Sequence, residues 1–271
     1  MAIELYREAL KRAQGIANGT KFIKQPTANA GLLLRRGLTV YETGKTEGDA
    51  GKGGGPKQQL ILEIAKTTPS GIYKAAFQRW KTATAGNSAR FIQFQAPLIG
   101  RLYIGLSRET ALETGITVHH AYGMPMIPGS ALKGLARSVA RNRLAQRRDA
   151  LTWIFGNEHD VETPDAQETG AVIFHDAWWV PEGDAKPFVE EIVTPHHGDY
   201  YVSEGKQDAT DFDSPIPAPQ IAAQGSFLFV LEGDPAWCEI ARTLLMHGLS
   251  ERGIGGKTTS GYGLFKAAGN S

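Results

Sequence analysis

Phe227-Leu228-Phe229-Val230-Leu231, then Asp234-Pro235 opening a run to about Leu249, then Gly253-Ile254-Gly255-Gly256-Lys257-Thr258-Thr259-Ser260-Gly261-Tyr262-Gly263-Leu264-Phe265: one stretch spells strand, helix, glycine loop and closing strand. The first segment is a short run of branched and aromatic residues, the composition of a strand. Asp234 is a favoured helix N-cap and Pro235 a good first-turn residue, which predicts a helix from about Pro235 to Leu249. After the loop, Tyr262 to Lys266 reads as the closing strand.

The loop itself carries five glycines, one lysine and three aliphatic hydroxyls. Glycine permits positive φ and removes the Cβ, so consecutive N–H groups can converge on an anion while Lys257 supplies charge and Thr258, Thr259 and Ser260 supply hydroxyls. Phosphate is the natural ligand; the alternative is a turn that merely joins a helix to a strand. A P-loop is excluded by counting, because the position five residues before Gly256-Lys257-Thr258 holds Glu251 where that motif requires glycine.

Working upstream, Phe91-Ile92-Gln93-Phe94-Gln95 and Leu102-Tyr103-Ile104-Gly105-Leu106 read as strands, as do Ala171-Val172-Ile173-Phe174 and, more weakly, Phe188 to Val193. Pro128-Gly129-Ser130 leads into a helix running to about Ala150. The order strand, helix, strand, strand, helix, strand predicts an α+β, ferredoxin-like fold: an antiparallel sheet with two helices on one face, the sheet that RNA-recognition modules use. Residues 1–86 read as an N-terminal helical elaboration: a first helix over 2–14, a flexible basic glycine loop over 43–56, and a helical hairpin from Gln58 to about Lys81 broken at Pro69-Ser70-Gly71. Residues 87–271 form the ferredoxin-like core with an acidic insertion over 157–219, in which Asp208 to Pro219 is an irregular excursion. The whole of 1–271 is read as a single domain.

The helix after Pro128 is basic. At about 100° per residue from Lys133, the cations Arg137, Arg141, Arg143, Arg147 and Arg148 all fall within about 80° of it, while Leu132, Leu135 and Val139 lie opposite. Like charges this close repel unless something neutralises them, and a nucleic-acid backbone does so; the alternative is a solvated face. Charge is segregated on a larger scale too. Residues 1–156 hold 23 Lys+Arg against 9 Asp+Glu, and residues 157–213 hold 2 against 15. Such asymmetry suits a basic surface for a polyanion and an acidic surface for a basic protein, unless the two segments neutralise each other in the fold. The single cysteine, Cys238, excludes an internal disulfide framework and fits a reducing cytoplasm, and no apolar run approaches the ~20 residues of a membrane span.

Ile127-Pro128-Gly129-Ser130-Ala131-Leu132-Lys133-Gly134-Leu135-Ala136-Arg137, together with the C-terminal glycine loop, resembles the RAMP superfamily of CRISPR-associated proteins. Within it, Thr194-Pro195-His196-His197-Gly198-Asp199-Tyr200-Tyr201 with Asp213-Ser214-Pro215-Ile216-Pro217, and the leading Asn29-Ala30-Gly31-Leu32-Leu33-Leu34, are similar to the sixth subunits of type III-B (Cmr) effector complexes. The resemblance implies a non-catalytic RNA-binding subunit near the 3′ end of the guide RNA, beside the repeated RAMP backbone subunit whose filament it helps to terminate. Guide RNA, and the target paired to it, are the implied ligands, with no cofactor. Carried over by position, the RNA-contacting residues are Lys133, Arg137, Gly255, Gly256, Lys257, Thr258 and Tyr262. Thr259 joins them from the loop, and Arg141 and Arg147 from the helical face alone.

Two rivals stand beside this reading. A stand-alone guide-processing ribonuclease would use histidine as general acid or base; adjacent residues on a strand point to opposite faces, so neither His119-His120 nor His196-His197 is by itself a two-histidine site, but one from each can meet. A purely structural filament cap would assemble without touching RNA. Asp176, Asp199, Asp211 and Asp213 have no spacing that demands a metal. Trp178-Trp179, Tyr200-Tyr201 and Trp237 suit either base stacking or a core and interface role. The acidic middle segment, with Asp208, Asp211 and Asp213, is expected to dock a neighbouring subunit.

Overall fold

The structure, a computed structural model, describes residues 2–4, 29–38, 40–42, 55–106, 114–157, 169–194 and 218–266. Strand β1 (Ala2–Glu4), helix α1 (Ala30–Arg36) and strand β2 (Val40–Glu42) come first, and β1 pairs antiparallel with β2. The expected helix over 2–14 therefore gives way to a strand at its start, and 5–14 lie outside the described residues. Asn29 caps α1, its side chain accepting from the Leu32 amide and donating to the Ala121 carbonyl at 3.1 Å. Of the basic glycine loop read over 43–56, residues 43–54 also lie outside, and Pro56 already begins a helix.

Helices α2 (Pro56–Ala65) and α3 (Gly71–Ala85) follow, α2 starting on a proline and α3 on Ser70, whose hydroxyl accepts from the Tyr73 amide. They are the two helices expected, but not a hairpin, because their apolar faces are drawn to different sheets. α2 turns Leu60, Ile61 and Ile64 onto a separate two-stranded ribbon, and α3 packs on the main sheet.

The main sheet is built from β3 (Phe91–Pro97), β4 (Met126–Ile127), β5 (Ile173–Phe174), β6 (Ala177–Trp179) and β9 (Ser226–Glu232), in the order β3-β9-β6-β4 with β5 also on β9. All pairings are antiparallel, and β3 and β9 match along their whole length, Phe91 to Glu232 through Pro97 to Ser226. Phe265 bridges Leu98 at the outer edge of β3. The core segments thus lie in the order last, first, third, second, which is the ferredoxin-like arrangement. The closing strand is shorter than expected, a single bridge, since the loop before it turns back on Arg101 and Tyr103 instead of extending.

Helices α4 (Gly129–Arg143) and α6 (Pro235–Glu251) cover one face of this sheet, separated in sequence by α5 (Arg148–Phe155). Leu132, Ala136, Val139 and Ala140 of α4 are buried with Ala241, Leu245 and Leu249 of α6, and the absence of a Cβ at Gly248 seats Leu135. Asp234 caps α6 as read. The helix expected to run on to Ala150 instead stops at Arg143. Leu144 leaves helical geometry (φ −112°, ψ 29°) and turns toward the core, and a new helix begins at Arg148.

Strands β7 (Phe188–Val193) and β8 (Ala218–Ala223) form the separate ribbon. The acidic segment 157–219 is thus no simple insertion: it contains β5, β6, β7 and the start of β8, where Pro219 of the supposed excursion sits opposite Ile192. Residues 158–168 and 195–217, with His196, His197, Asp199, Tyr200, Tyr201, Asp208, Asp211 and Asp213, lie outside the described residues. The predicted strand at 102–106 is reduced to bridges from Leu102 to Ala223 and from Tyr103 to Gly256.

The second face of the main sheet is also covered. Phe77 of α3 is buried against Val180, Leu228 and Val230, with Trp80, Phe91 and Trp178 half-buried around them. Tyr73 donates its hydroxyl to the Trp179 carbonyl and stacks on Trp178, ring centroids 5.9 Å apart. The face on which RNA-recognition modules stack bases is here occupied by a helix. Trp179 is fully buried and Trp178 is packed under α3, so both are core residues.

Candidate functional site

The residues singled out from the sequence fall into two groups. The first is the glycine loop. Gly255 has φ 92° and Lys257 has φ 58°, the one non-glycine residue of positive φ among the described residues. Between them the Gly256 amide donates to the Tyr103 carbonyl at 2.7 Å, and a Cβ built on Gly255 meets that same carbonyl oxygen at 2.0 Å. Glycine is required at 255 twice over, by conformation and by contact. Thr258–Ser260 form one 3₁₀ turn.

This loop is more closed than the sequence implies. The amides of Ile254, Gly256, Ser260, Gly261 and Gly263 donate to carbonyls of Gly263, Tyr103, Lys257, Thr258 and Arg101. They are committed inside the protein, so an anion-binding nest of consecutive free amides does not form across the whole loop. What the loop offers outward is the side chains: Lys257 and Thr259 are exposed and Thr258 is half-buried. Tyr262 turns inward, its ring 4.8 Å from Tyr103, and its hydroxyl reaches Glu191 of β7 at 3.5 Å. Burial and the Glu191 carboxylate raise the Tyr262 hydroxyl above its ordinary pKa. Arg101, 3.6 Å from Glu191, ties the same cluster to Gln224 at 2.8 Å. Tyr262 is thus a brace beneath the loop.

The second group lies on α4. Lys133, Arg137 and Arg141 advance by about 40° per step and form a basic line. Lys133 and Arg137 are half-buried and Arg141 is exposed. Arg137 donates to the Gly156 carbonyl at 2.8 Å, which pins α4 to the end of α5. Partial burial and then the neighbouring Arg137 lower the Lys133 pKa; partial burial and then Arg141 lower that of Arg137. Both shifts register partial burial first and the neighbouring cation on the helix second. Arg147 does not belong to it. The break at Leu144 takes it off the α4 face, and its guanidinium holds Asp149 at 3.0 Å at the start of α5.

Half-buried Lys133 lines a cleft of about 450 Å³ between α4, the end of α5 and β5. Its apolar wall is Phe155, Val172, Ile173 and Phe174, and its polar rim is Ser130, Asn157 and Thr169. Close approach of α4 to β5 forms this cleft: a Cβ on Gly129 would sit 1.9 Å from the Phe174 carbonyl oxygen. Asp176 accepts from the Gly129 amide at 2.7 Å and so caps α4. Sequence reading considered Asp176 only as a metal ligand and missed this role, which depends on β5 and β6 being brought to the helix. No metal-binding cluster of His, Cys, Asp or Glu occurs among the described residues, and no helix there is long and apolar enough to cross a membrane.

The two groups do not share one face of α4. Leu135, about 200° from Lys133, packs on Gly248, and Ser138, about 140° away, accepts from Arg252 at 2.8 Å. The end of α6, from which the glycine loop departs, therefore lies on the side of α4 away from Lys133.

His119 sits in a tight turn, its Nδ1 accepting from the Ala121 amide at 3.3 Å and its ring packed with Tyr122 and Trp178 at 4.6 and 4.9 Å. Burial lowers its pKa. These contacts are those of a packing residue in an aromatic cluster.

Residues 95–266 match the model of the RAMP superfamily. The CRISPR system Cmr subunit Cmr6 of Pyrococcus furiosus is 29% identical to this chain over 246 residues, covering 71% of the chain and 72% of that protein. The Cmr6 of Saccharolobus solfataricus is 28% identical over 203 residues, covering 71% of the chain and 63% of that protein, a little under two thirds. In a cryo-EM structure of the type III-B Cmr-beta complex bound to cognate target RNA, one chain superposes with a TM-score of 0.59 at 19% identity, over 78% of this chain and 70% of its own. That last likeness speaks for the fold.

Proposed function

This chain belongs to the RAMP superfamily, and on that premise we propose that it is a non-catalytic RNA-binding subunit of a type III-B CRISPR effector complex acting in antiviral defence. It binds guide RNA toward the 3′ end, with the paired target nearby, and caps the filament of repeated backbone subunits in the cytoplasm. Similarity to the two Cmr6 proteins supports the assignment to the complex. The observation that carries RNA binding is the line Lys133, Arg137, Arg141 on α4: three cations on successive turns with no carboxylate of the described residues paired to Lys133. Phosphates are the partner that such a line accepts without reading sequence.

Gly134 supports the same reading. It lies in the middle of an exposed helix face beside Lys133, where glycine costs about 1 kcal/mol relative to alanine, and a Cβ there meets nothing within 4 Å. The fold does not need it, whereas close approach of an RNA backbone does.

The test is binding of the purified protein to labelled single-stranded RNA across a salt series with EDTA present, the same samples being run on a denaturing gel. Salt-sensitive binding of intact RNA, weakened by Lys133→Ala or Lys257→Ala, is the expected result. Cleaved RNA turns the assignment toward a histidine ribonuclease, and filament assembly with no RNA contact turns it toward a structural cap.

A further inference from the structure

The cleft beside Lys133 has apolar and polar residues and one cation in its lining, and that combination specifies a ligand. Phe155, Val172 and Phe174 give it a buried apolar wall, and Ile173, 53% exposed, forms an open apolar lip. Exposed Ser130, Asn157 and Thr169 add hydroxyl and amide groups to the lining. Its volume of about 450 Å³ is within the usual range of small-ligand pockets, about 300–1,000 Å³. A ligand that fits has a flat apolar face, a polar edge and a negative charge attached a short distance away. A nucleotide has all three.

The geometry points to a pocket for one unpaired RNA base: the base enters the cleft against Phe155, Phe174 and Ile173, and its phosphate lies on Lys133 with the next phosphate toward Arg137. This rests on the RNA-binding reading above and deepens it, adding a base contact to what is otherwise a backbone-only interface. The rest of the fold makes the pocket more consequential. With α3 covering the sheet, the platform on which related folds stack bases is closed, and a base can be held only elsewhere. Hydroxyls and an amide in the lining can meet the edge of any base, so the pocket holds a base without selecting a sequence, as a guide-binding subunit requires.

A four-way comparison tests it with the full chain, using a single-stranded uridine 12-mer and a ribose-phosphate 12-mer without bases. Ser130→Phe fills the cleft from the helix, and Ile173→Trp fills it from β5, in case the first disturbs α4. On the uridine strand each filled variant is expected to bind about tenfold more weakly, the value of one lost base contact, with an unchanged salt slope. On the baseless strand neither should differ from the unsubstituted protein. Equal losses on both strands, or no loss on either, overturn the pocket. So does a filled variant that keeps RNA affinity but no longer joins its neighbouring subunit, since the cleft would then hold a protein side chain. Failure of the unsubstituted protein to bind the uridine strand at all would instead count against the RNA-binding reading itself.

Discussion

At the scale of single residues, three glycines separate what the fold needs from what a ligand needs. At Gly255 alanine meets a positive φ and a carbonyl oxygen 2.0 Å away, and at Gly129 it meets the Phe174 carbonyl at 1.9 Å. Gly255→Ala and Gly129→Ala are each expected to destabilise by more than about 1 kcal/mol, lowering Tm by at least about 2–4 °C in a thermal melt. Gly134→Ala should do the reverse, stabilising by about 0.5–1 kcal/mol, because it removes backbone freedom in a helix where nothing opposes a methyl group. The same variant is expected to weaken RNA binding. A variant that melts higher and binds RNA as well as the unsubstituted protein would remove Gly134 from the interface.

Elements that follow from local periodicity were legible in the sequence, and those set by tertiary contact were not. β3, β7 and α6 lie where alternation and capping put them, because Phe94 and Phe229 stack across paired strands and Asp234 caps its own helix. The end of α4 was illegible. Apart from Asn142, residues 141–148 are good helix formers, yet the helix ends where Leu144 packs on the core, taking Arg147 out of the basic line while leaving Lys133, Arg137 and Arg141 in it. The glycine loop was legible as a loop, but the amides of Gly256 and Gly263 have partners on Tyr103 and Arg101, some 150 residues away, which no local pattern reveals. The covering of the sheet by α3 was equally hidden, since an amphipathic helix does not name the surface it packs on. One element-scale contact is open to a pH test. At the end of the β3–β9 ladder Glu232 takes hydrogen bonds from Arg90 and His175, which hold its carboxyl below the usual carboxylate range. A depressed pKa contributes stability that is present above the unfolded value, about 4.3, and is lost as pH falls through the folded value. Glu232→Gln is therefore expected to lower Tm at pH 7 and to narrow its difference from the unsubstituted protein below about pH 4; a constant difference at every pH would argue against the carboxylate as the cause.

For the whole molecule, one buried cluster runs from Ala30, Leu34 and Leu60 of the N-terminal helices to Phe229, Leu249 and Phe265 of the ferredoxin-like core, and the chain is expected to melt as one cooperative unit. The two basic features lie on different sides of α4. An RNA strand that engages both must pass around the helix, while a strand that engages one leaves the other to a different strand or to a neighbouring subunit. Salt dependence separates these cases, since each phosphate neutralised on a single strand contributes about −0.7 to the slope of log K against log salt. If one RNA touches both sites, Lys133→Ala and Lys257→Ala should each make the slope shallower by about 0.7, and the double variant by about 1.4, the two sites being independent. If the strand follows α4 alone, Lys257→Ala leaves the slope unchanged in the isolated protein, and the exposed lysine of the glycine loop takes effect only in the assembled complex, where the same pair of measurements should recover the missing 0.7.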